Sequence, residues 1–420
     1  MISRVMSAEL AEHAGQRVTI AGWVHRRRQL KSVSFLVVRD RTGLTQVVAA
    51  GDLPGEENVV EITGTAAANP QAPGGFELVE PEIEVLAEAC AAPPFDLYRP
   101  VVGAALPTVL DHAPVALRHP RLRAPLEISA AGVAGFRATL DGLGFTEVHT
   151  PKIVASATES GANVFGIDYF GRPAYLAQSP QFYKQAMVGV FERVYEVGPV
   201  FRAEPHDTVR HLAQYTSLDA ELGFVRDHRD VMAVLREAVA GMLESVRHRA
   251  RPALGLLGVA LPEVPAEIPA IHFTEAQRLT GSAEPDLSPA QERLLSEWAL
   301  REHGSEFLYV TGYPMAKRPF YTHPDPARPG YTNGFDLLFR GMELVTGGQR
   351  LHRYADYLEV LAARGEGPQA YEGYLQAFRY GMPPHGGFAL GLERWTARLT
   401  RAANIRQTTA FPRDLHRLSP

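Results

Sequence analysis

The chain has 420 residues, 45% of them apolar, with a formal net charge of −5. That length gives room for two or three domains, and the acidic balance excludes a surface that binds nucleic acid everywhere, so any such contact needs a local basic patch. The single cysteine, Cys90, rules out a disulfide within the chain and a zinc cluster built from thiolates. The first residues, MISRVMSAELAEHAG, include acids and have no apolar core, so no secretory signal is expected. The longest apolar run, around Leu254–Leu261, is far short of the roughly 20 residues a membrane span needs. A cytoplasmic protein without membrane contact is expected.

Residues 17–90 alternate as strands do. Val18, Ile20, Gly22 and Val24 share one face, and Phe35, Val37 and Arg39 alternate with Leu36, Val38 and Asp40. A third run, Leu44, Gln46 and Val48, follows the turn at 40–43, and two more lie near 59–66 and 76–88 around a Pro/Gly-rich loop at 69–75. Five short strands predict a small closed barrel over residues 1–92. Pro93, Pro94, Pro100, Pro107 and Pro114 then mark 93–117 as a semi-rigid hinge. From about 118 the pattern changes. Leu126, Ala130, Val133, Phe136, Leu140 and Leu143 recur at helical spacing up to Gly144, and GFTEVHTP reads as a strand ended by Pro151. Further helices are expected at 181–190, 228–249, 288–303, 354–363 and 367–379. Strands are expected at 194–203, 215–225, 307–312, 334–346 and 386–392. The resulting class is α+β: a barrel, then a mixed, mostly antiparallel sheet flanked by helices over 118–420. GxGxxG and GxxxxGK[ST] are both missing.

The segment FRAEPHDTVRHLAQYTSLDAE, 201–221, carries the densest chemistry. Two antiparallel strands joined by a polar loop would put Arg202 and Glu204 on one face. A cation, a carboxylate and the ring of Tyr215 would then suit a phosphate, an amine and a flat base. A solvated hairpin with surface ion pairs fits the same residues.

Three segments in order resemble the signature of class II aminoacyl-tRNA synthetases. They are the helix ending in GFTEVHTP, then FRAE…RHL…LDAE, and GGFALGLER ending on Arg394. The small barrel resembles the OB-fold anticodon domain of the aspartyl, asparaginyl and lysyl group. QSPQFYK (178–184) and GGQRLHR (347–353) resemble the aspartyl members, and the short gap between the second and third motifs resembles their compact, archaeal type. Gln214 and Ala389 depart from the family's usual Glu and Gly.

The resemblance implies ATP-dependent activation of L-aspartate to aspartyl-adenylate, then transfer to the 3′ end of tRNA(Asp). Both attacking oxygens belong to substrates, so positioning and charge stabilisation carry the reaction. It implies Arg202 at the α-phosphate, His211 and Arg394 toward the γ-phosphate, and Arg210 among the contacts to ATP. Glu204 would accept from the adenine amine and Tyr215 would stack under the ring. Mg²⁺ would be held by Asp336 and Glu343, seven residues apart, with Thr346 adding a hydroxyl. Without the resemblance Asp336 reads as a surface acid and Glu343 as a partner of Arg340.

For aspartate, Lys184 and Arg350 would meet the side-chain carboxylate, with Ser179 and Gln181 lining the pocket. Asp219 and Glu159 would hold the ammonium, Thr346 would stand nearby, and Glu159 would lie on a closing loop. His323 either faces the substrate or bonds to its own loop. Asparaginyl members carry an acidic group in place of the lysine, so Lys184 points to aspartate.

In the barrel, Phe35 and Gln46 resemble the contacts to the central anticodon base. His25, Arg26 and Arg27, expected in the first inter-strand loop, would meet anticodon phosphates or simply be solvated. Phe35 also suits the barrel core. His25 and Pro73, with Pro70 near it, match the histidine and proline of relaxed family members that also charge tRNA(Asn). An amidotransferase would then convert the misacylated product. The helix before Gly144 and its following strand imply a homodimer.

Overall fold

A computed structural model describes residues 4–30, 33–155 and 163–419. The chain divides into two compact units, Met1–His119 and Pro120–Pro420.

In the first unit, β1 (Arg17–Gln29), β2 (Ser34–Arg39), β3 (Leu44–Ala49), β4 (Val59–Ala68) and β5 (Phe76–Ala87) close a barrel in the order β1-β2-β3-β5-β4. Every second residue points inward, and Val18, Ile20, Val24, Leu36, Val38, Val47, Val60, Ile62 and Leu78 form its core. The stretch 93–117 is not wholly a hinge. It folds into α1 (Leu106–Asp111) and α2 (Ala113–Ala116), each with a proline in its first turn, where the missing N–H has no helical partner to lose.

The second unit contains α3 (Pro120–Gly142), β6 (Thr146–Glu147), β7 (Ile153–Val154), β8 (Gly166–Tyr169), β9 (Arg172–Leu176), α4 (Gln181–Phe191), β10 (Arg193–Phe201) and β11 (Gln214–Gly223). It continues with α5 (His228–Arg249), α6 (Arg251–Leu257), β12 (Ala270–His272), α7 (Phe273–Thr280), α8 (Pro289–His303) and β13 (Phe307–Thr311). The last elements are β14 (Gly334–Phe339), β15 (Met342–Gln349), α9 (Tyr354–Ala363), α10 (Glu372–Arg379), β16 (His385–Gly391) and α11 (Leu392–Thr400). Eight strands form one sheet, ordered β12-β13-β14-β15-β16-β11-β10-β6. The β12–β13 and β10–β6 pairs are parallel and the others antiparallel.

The single strand expected at 334–346 is a hairpin. Arg340 and Gly341 have φ of 47° and 81°, the two positive values that a tight two-residue turn requires. The apolar run on both sides hides that turn, because both strands are central and buried.

The strand period of two divides the sheet's chemistry. Leu218, Ala220, Leu222, Phe388, Leu390, Phe335, Leu337 and Val345 pack with Ile128 and Phe136 of α3 and Val231, Leu235, Val239 and Met242 of α5. The intervening residues of the same strands, Ser217, Asp219, Glu221, Asp336 and Ala389, therefore face the other side. Polar groups survive in the middle of this sheet because the core formed with α3 and α5 takes only one face there; toward β13 the other face packs Leu308, Val310 and Leu338 against α7 and α8.

Candidate active site and nucleic-acid face

On that second face lies a cavity of about 270 Å³. Arg202, Glu204, Arg210, His211 and Tyr215 border it from β11 and the loop before it, and Glu343, Thr346 and Arg350 from β15 and just beyond. Ser179, Gln181, Ser217, Ala389 and Arg394 complete this lining of sequence-named positions. The structure thus brings together most of the expected nucleotide and amino-acid contacts. β10 ends at Phe201, so Arg202 and Glu204 sit just past the strand rather than on it; the Arg202 amide still donates to Ala213 O at 2.8 Å. The Arg202 guanidinium lies 5.7 Å from the Tyr215 ring centroid, a cation–π contact. His211 bonds to Thr208 through Nδ1 at 2.6 Å. Its pKa is lowered by burial first and by the nearby Arg394 next.

Lys184 departs from expectation. It is 1% exposed and does not line the cavity. Its Nζ donates to Asp219 Oδ1 at 2.9 Å and to Phe388 O at 3.1 Å, and lies 3.3 Å from Glu221 Oε2. An ammonium has three N–H donors, and these partners occupy its reach. It is neither a solvated helix lysine nor a group presented to the cavity. Asp219, expected at a substrate ammonium, is likewise buried behind the lining, held by Lys184 and by the Ser217 hydroxyl.

Glu221, to which the sequence assigned no role, links the two expected cations. Its Oε1 accepts from Arg350 Nε at 3.0 Å while its Oε2 faces Lys184. Burial pushes its carboxyl pKa up, but Arg350 and then Lys184 outweigh this and hold it below its ordinary value. Arg350 also donates to Gly387 O at 3.0 Å. Gly387 makes room for the network, since a Cβ there would stand 2.1 Å from Glu221 Oε2. The cavity therefore meets a guanidinium whose anionic partner is buried behind it.

Asp336 is buried, against its surface-acid alternative, and Arg318 Nη2 donates to its Oδ2 at 2.7 Å. Burial raises its pKa to about 6, opposed by Arg318 and reinforced by Glu343. Its other oxygen, Oδ1, has no well-formed hydrogen bond among the described residues. Glu343 is not a partner of Arg340, which pairs with Glu306. It lines the cavity with Thr346 Oγ1 3.2 Å away and Arg394 3.8 Å away. Hard oxygens of two carboxylates, one of them under-satisfied, suit Mg²⁺, which keeps most of its waters. No group of three or more His, Cys, Asp or Glu poised for a metal occurs among the described residues, so the protein alone would supply few ligands.

His323 stands outside the lining, and its Nδ1–H donates to Pro324 O at 2.7 Å. Glu159 lies outside the described residues. Sequence reasoning missed Arg318 and Glu393, both in the lining. Arg318 stacks 3.9 Å from the Tyr313 ring centroid. Glu393 accepts from the Thr216 amide at 3.0 Å, and burial raises its pKa to about 7. Nothing local in the sequence marks either, because the partners, Asp336 for Arg318 and Thr216 for Glu393, are distant along the chain.

In the barrel, β1 runs through 25–29, which had been expected to be loop. A register break between Val24 and Arg26 makes His25 the bulged residue. It is 8% exposed, with Nδ1 3.0 Å from Arg39 Nη1. Arg39 pairs in a two-point fork with Glu57 at 2.9 Å. Burial first, then Arg39, lower the His25 pKa to about 4. Arg26 and Arg27 are exposed, and Arg26 lies 4.6 Å from the Tyr98 ring centroid. Phe35 is half-buried on the outer barrel face, opposite Arg28, and is not part of the core. Gln46 donates to Glu77 at 2.7 Å, and Pro73 opens a short turn between β4 and β5.

A small barrel joined in sequence to a cation-lined cavity on a mostly antiparallel sheet is the architecture of a class II synthetase. The chain belongs to the class II tRNA synthetases of the D, K and N group, whose family pattern it matches over residues 106–415, with an OB-fold nucleic acid binding domain over 18–86. It is 48% identical to the aspartate–tRNA(Asp/Asn) ligase of Deinococcus radiodurans over 431 residues, covering 100% of this chain and 99% of the relative. The protein of the same name from Thermus thermophilus is 48% identical over 423 residues, covering 99% and 100%. Among solved structures, asparaginyl-tRNA synthetase from Pyrococcus horikoshii, complexed with asparaginyl-adenylate, superposes with a TM-score of 0.92 at 32% identity, with both chains covered in full. No described helix is long and apolar enough to cross a membrane.

Proposed function

We propose that this chain joins L-aspartate to tRNA in two ATP-driven steps, and that it accepts both tRNA(Asp) and tRNA(Asn). The observation that carries the reading is the Lys184–Glu221–Arg350 chain of buried charges, which ends on Arg350 in a cavity that Arg202 and Arg394 also line. Arg350 is the group an incoming side-chain carboxylate would meet. Lys184 would act from behind by offsetting Asp219, so that the guanidinium is not surrounded by unbalanced anions. An asparagine amide would bring no charge to Arg350, and hydrogen bonds to charged groups contribute about 1.5–3 kcal/mol each. This supports the aspartate reading over the asparaginyl one, although the superposed structure is asparaginyl.

Arg202 would stabilise the charge that grows at the α-phosphate as the aspartate carboxylate attacks. Tyr215, already held against Arg202, would stack on the base, with Glu204 accepting from its amine. Arg210, His211 and Arg394 would hold the leaving pyrophosphate. Glu343 and Asp336, with Thr346 near them, are the groups that would hold Mg²⁺, which supplies charge neutralisation for the phosphates when bound. Ser179 and Gln181 would frame the amino acid. In the barrel, Phe35 and Gln46 would meet the central anticodon base, Arg26 and Arg27 the phosphates, and His25 and Pro73 the third base. The relaxed tRNA choice is supported by the names of the 48% identical relatives, aspartate–tRNA(Asp/Asn) ligases. A cytoplasmic homodimer working upstream of an amidotransferase agrees with that reading, as do domains at 1–92 and 118–420 joined through 93–117.

The test is charging of purified tRNA(Asn) with radiolabelled aspartate. Rates within an order of magnitude of those on tRNA(Asp) are expected; background rates on tRNA(Asn) would reject the relaxed reading.

A further inference from the structure

We propose that Glu292 is a positioning residue for ATP, acting through Arg210. This rests on the reading of the cavity as an ATP site and adds a residue that does not itself line it. Glu292 sits in the first turn of α8, far in sequence from the motifs. A capping box at Ser288 and Gln291 fixes the start of that helix, with Pro289 just inside it. The side chain is buried, which for a carboxylate demands a partner.

It has two partners, from two different segments that line the cavity. Arg210 Nη2 donates to Glu292 Oε2 at 2.5 Å, and the Glu343 amide donates to the same oxygen at 3.2 Å. One carboxylate oxygen thus ties the loop that carries Arg210 to the strand that carries Glu343. Arg398 stands close by: its pKa is lowered by burial first and by Arg210 next, and raised by Glu292. Without Glu292, two neighbouring guanidinium groups would repel each other, and Arg210, on an irregular loop, is the one able to swing away.

A buried anion beside a triphosphate site would by charge alone weaken ATP binding. Geometry decides the sign. A guanidinium offers five N–H donors in a rigid fork, and Glu292 engages the Nη2 end of Arg210 while that side chain still lines the cavity. The contact aims the fork without using it up.

Glu292→Gln keeps an acceptor for the Glu343 amide and removes the charge that anchors Arg210. Pyrophosphate exchange and calorimetric ATP binding should show ATP KM and Kd raised roughly tenfold or more, the scale of one charge-assisted hydrogen bond. Aspartate KM and the melting temperature should stay near wild type. Glu292→Asp, charged but shorter, should show the same ATP-selective defect at smaller size. In an Arg210→Ala background, Glu292→Gln should add nothing further. Unchanged or tighter ATP binding in Glu292→Gln, a defect shared equally by aspartate, or penalties that add in the double variant would overturn the proposal alone. Wild-type protein that binds no ATP would overturn the functional reading together with it.

Discussion

The cavity and the barrel handle charge in opposite ways. At and behind the cavity wall, several charged side chains are buried in pairs: Lys184 with Asp219, Glu221 with Arg350, Arg318 with Asp336. On the barrel, Arg26 and Arg27 stand exposed to solvent. Buried pairs are costly to assemble and hard to move, and breaking one partner leaves an uncompensated charge. Exposed cations contribute little to stability but attract phosphates over a Debye length. A site that must reject a neutral isostere of its substrate needs the first arrangement, and a face that follows a flexible RNA backbone needs the second.

Substitutions should separate the two regions by the size and kind of their effect. Arg202→Ala should cost about 10²- to 10³-fold or more in aspartate-dependent pyrophosphate exchange, the scale for losing one transition-state donor. Filter binding of tRNA should be unaffected, and undiminished exchange would remove Arg202 from the chemistry. Glu221→Gln should be next. It breaks a buried network at a cost of about 3–5 kcal/mol in urea unfolding and raises aspartate KM more than ATP KM; equal rises would deny Glu221 its place behind Arg350.

Barrel changes should be smaller. Arg27→Ala should leave adenylate formation intact and reduce the salt dependence of tRNA binding by roughly one unit of slope. An unchanged slope would return Arg27 to the solvated surface. The smallest effect concerns acid. His25 has a pKa lowered to about 4 in the folded chain, against about 6.5 unfolded. The unfolded chain therefore binds the proton more readily, and stability that is complete above pH 6.5 is lost as pH falls toward 4. Melting scans of His25→Gln should show a shallower loss across that window than wild type; parallel curves would contradict it.

Alternating and helical periods made the barrel, the long helix α3 and the hairpin of β10 and β11 legible from sequence. The motif residues of the cavity were legible through resemblance. What stayed hidden has a common cause. Glu221, Glu292 and Arg318 gain their meaning from partners across the sheet, at Arg350, Arg210 and Asp336. No local period encodes such pairing. Lys184 was expected to meet the substrate directly, but burial could not be read from its helix, and its partner Asp219 was expected at the substrate ammonium rather than at the lysine. His25 was expected in a loop for a similar reason: nothing in a charged run signals that the strand continues through it with a one-residue bulge.

The amino-acid side of the site is tested most directly by pyrophosphate exchange with aspartate and asparagine side by side at saturating ATP. A guanidinium backed by buried Glu221 and Lys184 should favour aspartate by roughly 10⁴-fold in kcat/KM, the scale at which a polar site rejects the wrong isostere. Comparable exchange with asparagine would contradict the anionic-substrate reading of the cavity.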